Sequence, residues 1–266
     1  RQAAAKTSAN LPVREPQIED GLADHQTSST HRFWKPVIEP ALKAIAARRI
    51  VEIGSSRGLN TRKLLDYCQS VGGRLHVIDP SPKYPVKEWE ERYPSYVQFH
   101  LDLSLNAIWR IEAADAVLIS GDHNWYTVFN ELKLIEKTTK KANREFPLVL
   151  LYHVGWPHGR RDQYHNPETI PAAFRKPYKK LGLKTDSTGL AAVAGLNPDR
   201  CHSIYENDLQ NGVLTAAEDF VAETPQEMRL RILPGIYGLG VLYLASLEGN
   251  EEFRQLMNEL CLTPRQ

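Results

Sequence analysis

Five short, mostly apolar runs recur along the first 152 residues, at 50–53, 74–79, 97–101, 116–120 and 147–152, with helix-patterned segments between them. They read as continuous apolar stretches rather than as strict apolar–polar alternation. A strand of that kind needs cover on both faces, which a parallel sheet flanked by helices supplies. Right-handed crossovers then leave a doubly wound α/β sheet as the expected fold. Two later runs, 230–233 and 240–245, are joined by the short connection LPGIYGLG, which predicts an antiparallel hairpin at the end of the sheet. Helices are expected over 60–70, 125–142, 211–223 and 251–262. A further, irregular helix should begin near His31, disturbed by Pro36 and Pro40.

Two segments fall outside this rhythm. Residues 1–30 are polar and patternless, and are expected to form a mobile arm or cap. Residues 155–209 carry Pro157, Pro167, Pro171, Pro177 and Pro198 among polar and aromatic residues. So long a break directly after the fifth strand predicts a lid inserted into a single domain spanning 31–266.

Composition narrows the partners. Lys and Arg number 33 against 32 Asp and Glu, a net charge of +1, which excludes a strongly basic nucleic-acid binder. The apolar runs are too short to span a bilayer, so no membrane partner is expected. Cys68, Cys201 and Cys261 form no CxxC pair, which favours a reducing, cytoplasmic setting.

The sharpest string is VEIGSSRGLNT, residues 51–61. Glu52 ends a strand, Gly54 and Gly58 flank a tight turn with Ser55 and Ser56 between them, and a helix starts near Asn60. Glycines let the backbone approach a ligand, and a helix N-terminus offers free N–H groups to an anion. Asp79 closes the next strand 21 residues after Gly58, where a carboxylate exposed at the sheet edge can accept from a ribose diol. The spacing is GxxxG, not the GxGxxG of dinucleotide-binding turns.

This order of acid, GxxxG and strand-ending Asp resembles the class I S-adenosylmethionine-dependent methyltransferases. The resemblance implies a seven-stranded, Rossmann-like sheet and S-adenosylmethionine as cofactor. It implies that Glu52 holds the methionine ammonium, that Gly54, Ser55, Ser56, Gly58 and Gly121 shape the cofactor loops, that Asp79 takes the ribose hydroxyls, and that Asp102 lies near the adenine amino group. The segment ISGDHNWYTVFNEL, 119–132, is similar to the DGDHSY-type stretch of metal-dependent natural-product O-methyltransferases, the macrocin O-methyltransferase-like branch. There an Asp ligates a divalent metal and a second carboxylate arrives at the end of the fifth strand. Asp122 matches the first position, whereas this chain reads LLYHVGWP at the second, with His153 where an acid stands in that branch. Asp122 and His153 are the implied metal ligands.

His123 and His153 are also candidate general bases beside Asp122, since an imidazole titrates near neutral pH. In GWPHGRRDQYHNPETIP, 155–171, the expected substrate contacts are Trp156 and Tyr164 stacking on a ring, with Arg160 or Arg161 pairing an anionic group. The reading is methyl transfer to a hydroxyl of a small molecule, with homo-oligomerisation left open. The alternatives are an NAD-type oxidoreductase and a non-catalytic binding module on the same fold.

Overall fold

The structure, a computed structural model, describes residues 32–192 and 195–262. The arm expected at 1–30 lies outside the described residues. The chain enters through a short π-helix, Trp34–Ile38, that runs into the helix Glu39–Ala44, with Pro40 at its first turn. It then alternates strands and helices: β1 (Arg49–Ile53), helix Leu59–Val71, β2 (Arg74–Ile78), helix Val86–Arg92, β3 (Val97–His100), the short turn of helix Ser104–Ala107, β4 (Ala116–Ile119), helix Trp125–Lys141 and β5 (Leu148–Tyr152). The helices Val86–Arg92 and Ser104–Ala107 are too short for their periodicity to stand out in the sequence.

Five short strands follow in the 155–209 segment: β6 (Gln163–Tyr164), β7 (Tyr178–Lys180), β8 (Gly182–Lys184), β9 (Ser187–Ala191) and β10 (Cys201–Ser203). The helix Val213–Glu223 leads to the hairpin β11 (Met228–Leu233) and β12 (Leu239–Leu244), and the chain closes with the helix Glu251–Leu262.

The main sheet has seven strands in the order β11-β12-β5-β4-β1-β2-β3. β1 to β5 are parallel, β12 is antiparallel to β5, and β11 pairs antiparallel with β12. This is the expected doubly wound sheet with a terminal hairpin. Alternate side chains explain the unbroken apolar runs. Ile50, Leu75, Leu118 and Leu150 pack on one face against Leu64 and Leu65 of the helix Leu59–Val71. Val51, Val117, Ile119, Val149 and Leu151 pack on the other against the helix Trp125–Lys141 and Phe220 of the helix Val213–Glu223. Each fully buried aliphatic side chain of this kind contributes about 1.5–3 kcal/mol.

The register sets the functional edge. Ile53 lies opposite both Ile78 and Ile119, and Ile119 opposite Leu151, so β1, β2, β4 and β5 end level. The residues that follow them leave the sheet side by side. β12 runs the other way and pairs Leu239 with Tyr152, which returns the hairpin turn to the same edge. The inserted segment is folded: β6, β10 and β7 form a small antiparallel sheet, and β8 and β9 a two-stranded one. Its lack of periodicity reflects strands of two to five residues, too short to carry a pattern.

Candidate functional site

Two neighbouring constructions occupy this edge. Beyond β1 and β2 the chain makes a cradle around Asp79. Its Oδ2 accepts from Ser55 N (2.8 Å), Ser55 Oγ (2.9 Å) and Ser56 N (2.9 Å), and its Oδ1 accepts from Ser81 N (2.8 Å). Asp79 is therefore buried, at 8% exposure, and not open at the edge as its strand-end position suggests. Burial follows because the carboxylate itself ties the β1 turn to the end of β2; Oδ1 retains acceptor capacity for a further donor. Glu52 is buried beneath it and accepts from Thr61 Oγ1 at 2.6 Å. Loss of solvent pushes the Glu52 carboxyl up to about 8, against the pull of the Thr61 bond, so it holds its proton at neutral pH.

The glycines have local reasons. A side chain on Gly54 would bring a carbon to 2.5 Å from Gly121 Cα, so the loops after β1 and β4 touch backbone to backbone. Gly58 has φ +78 and caps the helix Leu59–Val71 with no side-chain hydrogen bond, which leaves its first-turn amides available. Tyr84 stands over Gly58, its ring 2.9 Å from where a Cβ would sit and its hydroxyl buried. Ser56, also at positive φ, is exposed, with its N–H donating to Asp79 and its carbonyl accepting from Lys83 N. Asp102 follows β3 by two residues. Its carboxylate is turned to the short helix behind it, accepting from Asn106 Nδ2 (3.0 Å) and Leu103 N (2.7 Å) and pairing with Arg110.

Beyond β4 and β5 the structure gathers histidines. His123 follows β4, His153 follows β5, and His158 returns from the start of the insertion. The His123 and His153 rings stack with centroids 3.6 Å apart, and His158 lies 5.3 and 5.5 Å from them. All three are buried, at 4%, 2% and 0% exposure. His153 adopts φ +67, a left-handed backbone that costs a non-glycine residue free energy and persists only where surroundings impose it. The Tyr237 ring, delivered by the hairpin turn, meets His153 edge-on at 4.8 Å. His202 on β10 stacks on the far side of His158 at 5.6 Å. Burial and mutual repulsion hold His123 and His158 well below the ordinary imidazole range, and burial takes His153 to about 3. These rings are neutral at pH 7 and poor bases, which corrects the expectation of His123 and His153 titrating near neutrality.

Asp122 stands at the mouth of the cluster. It accepts from Thr127 Oγ1 at 3.2 Å and holds His165 Nδ1 at 3.0 Å from Oδ1. His165 is the exposed member, 5.5 Å from His123 between ring centroids. A carboxylate on Nδ1 fixes the tautomer and leaves Nε2 as acceptor, the arrangement of a general base.

The insertion gives structural roles to Arg161 and Tyr164, two of the four residues expected to meet a substrate. Arg161 is 1% exposed; its guanidinium donates to Ser203 O (2.6 Å), to Thr188 O and to Glu206 (3.0 Å). Tyr164 is buried and donates to Asp162 Oδ2 at 2.8 Å. Both hold the insertion together and have no free face for a ligand. Arg160 reaches Glu218 and Thr215 on the helix Val213–Glu223. Trp156 is half-buried, with its carbonyl accepting from Tyr237 N. The residue that organises the roof is Asp162: Oδ1 accepts from Trp125 N (2.7 Å) and Gly212 N (2.6 Å), so one carboxylate serves the start of two helices.

Mg²⁺ takes oxygen ligands in near-octahedral array. The donors gathered here are imidazoles, the second position is His153, and Asp122 is engaged with His165 and Thr127. The site does not fit Mg²⁺.

No protein-family model and no curated protein sequence matches the chain. Among solved structures, it is similar to a methyltransferase of Podospora anserina bound to S-adenosylhomocysteine, at 16% identity, TM-score 0.47, covering 90% of this chain and 99% of that one. It is similar to a Burkholderia thailandensis 1,6-didemethyltoxoflavin N1-methyltransferase, at 12% identity, TM-score 0.41, covering 88% and 92%. An O-methyltransferase of neocarzinostatin biosynthesis, bound to S-adenosylmethionine and a naphthoic acid, overlaps at 13% identity and TM-score 0.41, covering 82% and 56%.

Proposed function

We propose that the protein transfers a methyl group from S-adenosylmethionine to a hydroxyl of a small molecule. The observation that carries this reading is the meeting, at one edge of a seven-stranded sheet with a terminal hairpin, of a glycine turn backed by two buried acids and an Asp122–His165 pair. When bound, the cofactor supplies an electrophilic methyl group on sulfonium. The first-turn amides after Gly58 would receive its carboxylate, Glu52 would regain its charge beside the ammonium, and Asp79 Oδ1 would take a ribose hydroxyl. His165 Nε2, with Nδ1 held by Asp122, would accept the proton of the attacking hydroxyl. The roof formed by the insertion would exclude water and keep donor and acceptor in line.

A binding module without transfer is a second reading, favoured by His153 standing where the resembled branch has its second carboxylate. Thermal shift with S-adenosylmethionine, S-adenosylhomocysteine and NAD discriminates. A ligand at about 100 times its Kd stabilises the native state by about 2.7 kcal/mol. Both adenosyl ligands should raise Tm and NAD should not; a shift with NAD alone, or with none, defeats the proposal. Given binding, Asp122→Asn and His165→Ala should each lower kcat about 100-fold with cofactor affinity retained. Binding with no transfer to any hydroxyl acceptor would favour the module.

A further inference from the structure

We propose that His123, His153 and His158 form a site for one divalent transition-metal ion of the zinc class, with a fourth coordination position left open. The three residues come from three separate segments, the loop after β4, the end of β5 and the first turn of the insertion. Each offers a ring nitrogen within 4.8 Å of the others. Both nitrogens of His123, both of His158 and Nδ1 of His153 are buried without a hydrogen-bond partner. Buried polar atoms are nearly always satisfied, so three buried rings that each bring an unpaired nitrogen to one point indicate a missing electrophile. His153 reaches the cluster only by accepting a left-handed backbone, so the fold holds it there against its own preference.

The donor set selects the ion. Three imidazoles without a carboxylate in the group suit Zn²⁺, Co²⁺, Ni²⁺ or Fe²⁺ and not Mg²⁺ or Ca²⁺. Three histidines with one open position are a donor set used by hydrolytic zinc. Metal–nitrogen bonds of about 2.0–2.1 Å place tetrahedral nitrogens roughly 3.3–3.4 Å apart, so nitrogens that lie within 4.8 Å of one another have to close by at most about 1.5 Å. The nearly parallel rings of His123 and His153, 27° apart, must also turn so that both lone pairs meet at one centre. Asp122, one residue from His123, supplies negative charge at the mouth, and His202 and Gln163 line the surrounding shell.

The test uses the full chain and does not depend on methyl transfer. Protein stripped with a chelator is titrated with Zn²⁺ by calorimetry and with Co²⁺ by visible absorption. One equivalent should bind, with the intense visible bands of four- or five-coordinate Co²⁺. Loss of a supporting contact typically costs a metal site about 10–100-fold, so His158→Gln, a lost ligand, should weaken affinity by more than about 100-fold. His100→Ala interrupts a distant pair, His76 Nδ1 and His100 Nε2 at 3.1 Å, and should leave affinity and stoichiometry unchanged. The wild type decides the matter even where His158→Gln does not fold. Zinc-edge absorption should show three nitrogen neighbours near 2.0 Å as imidazole. Absence of stoichiometric binding, an all-oxygen shell, or binding lost in His100→Ala and kept in His158→Gln would each overturn the site.

Discussion

The cradle beyond β1 and β2 and the histidine cluster beyond β4 and β5 share one sheet edge, yet they are finished to different degrees. In the cradle Asp79 takes four donors from the chain itself, and Glu52 is bonded to Thr61. In the cluster, five ring nitrogens have no partner. A buried polar atom left unpaired costs about 1–3 kcal/mol. The acids of the cradle are thus paired by their own chain, whereas the imidazoles of the cluster carry an unpaired cost that the proposed metal ion would reduce.

The contrast breaks most sharply at the roof. Asp162→Ala removes the acceptor for Trp125 N, Gly212 N and the Tyr164 hydroxyl at once. Hydrogen bonds to charged groups are worth about 1.5–3 kcal/mol each and do not add fully, so a loss of about 4 kcal/mol is expected in urea unfolding. A loss under about 1 kcal/mol would mean that the roof is held by something else.

In the cradle, Asp79→Ala should lower stability by about 2–4 kcal/mol even without ligand, because it frees the Ser55–Ser56 turn. It should weaken S-adenosylhomocysteine binding as well. A variant as stable as the parent would show that the cradle is not self-supporting.

Glu52 gives a pH-dependent effect of intermediate size. Its carboxyl is raised from 4.5 to about 8 in the native state, so between those values the folded protein holds a proton that the unfolded chain has released. The stability it contributes is complete below about 4.5 and is lost as pH rises through about 8. Glu52→Gln cannot ionise and keeps an oxygen for Thr61. Relative to it, the parent should lose a few kcal/mol at most between pH 5 and pH 8.5. Parallel stability profiles for the two proteins would contradict a protonated Glu52.

The smallest effect is expected from Arg160→Ala. Its pair with Glu218 is largely solvated, with side chains 37% and 47% exposed, and such pairs contribute about 0–1 kcal/mol. A change beyond about 1.5 kcal/mol would promote Arg160 into the roof.

The parts of this edge differ also in how far the sequence discloses them. The strands and the hairpin are written in local apolar runs and the short connection between the last two, so their order of appearance and direction are legible. His123 and His153 stood out because they close neighbouring strands. His158 and His165 were visible only as members of a polar segment. What brings His158 over His153 is a reversal between Gly155 and Gly159, where Gly159 N donates to Gly155 O and added side chains would strike Gly235 O and Val154 O. The contact between Gly155 and Gly235 joins backbones far apart in the chain, and no spacing in the sequence encodes it. The same holds for Asp79 and Arg161, whose charge suggested ligands and whose partners turned out to be main-chain amides and carbonyls of the fold.

Because the Asp162 carboxylate serves the amide groups that open both Trp125–Lys141 and Val213–Glu223, the insertion is not a flap added to a finished core. Cutting it out would strip two core helices of their end groups, and grafting in a relative's loop would succeed only if an acid arrived at the same spot. The same bond network reaches β9, whose Thr188 carbonyl accepts from Arg161, so the centre of the insertion is bound to change only together with the helices beneath it.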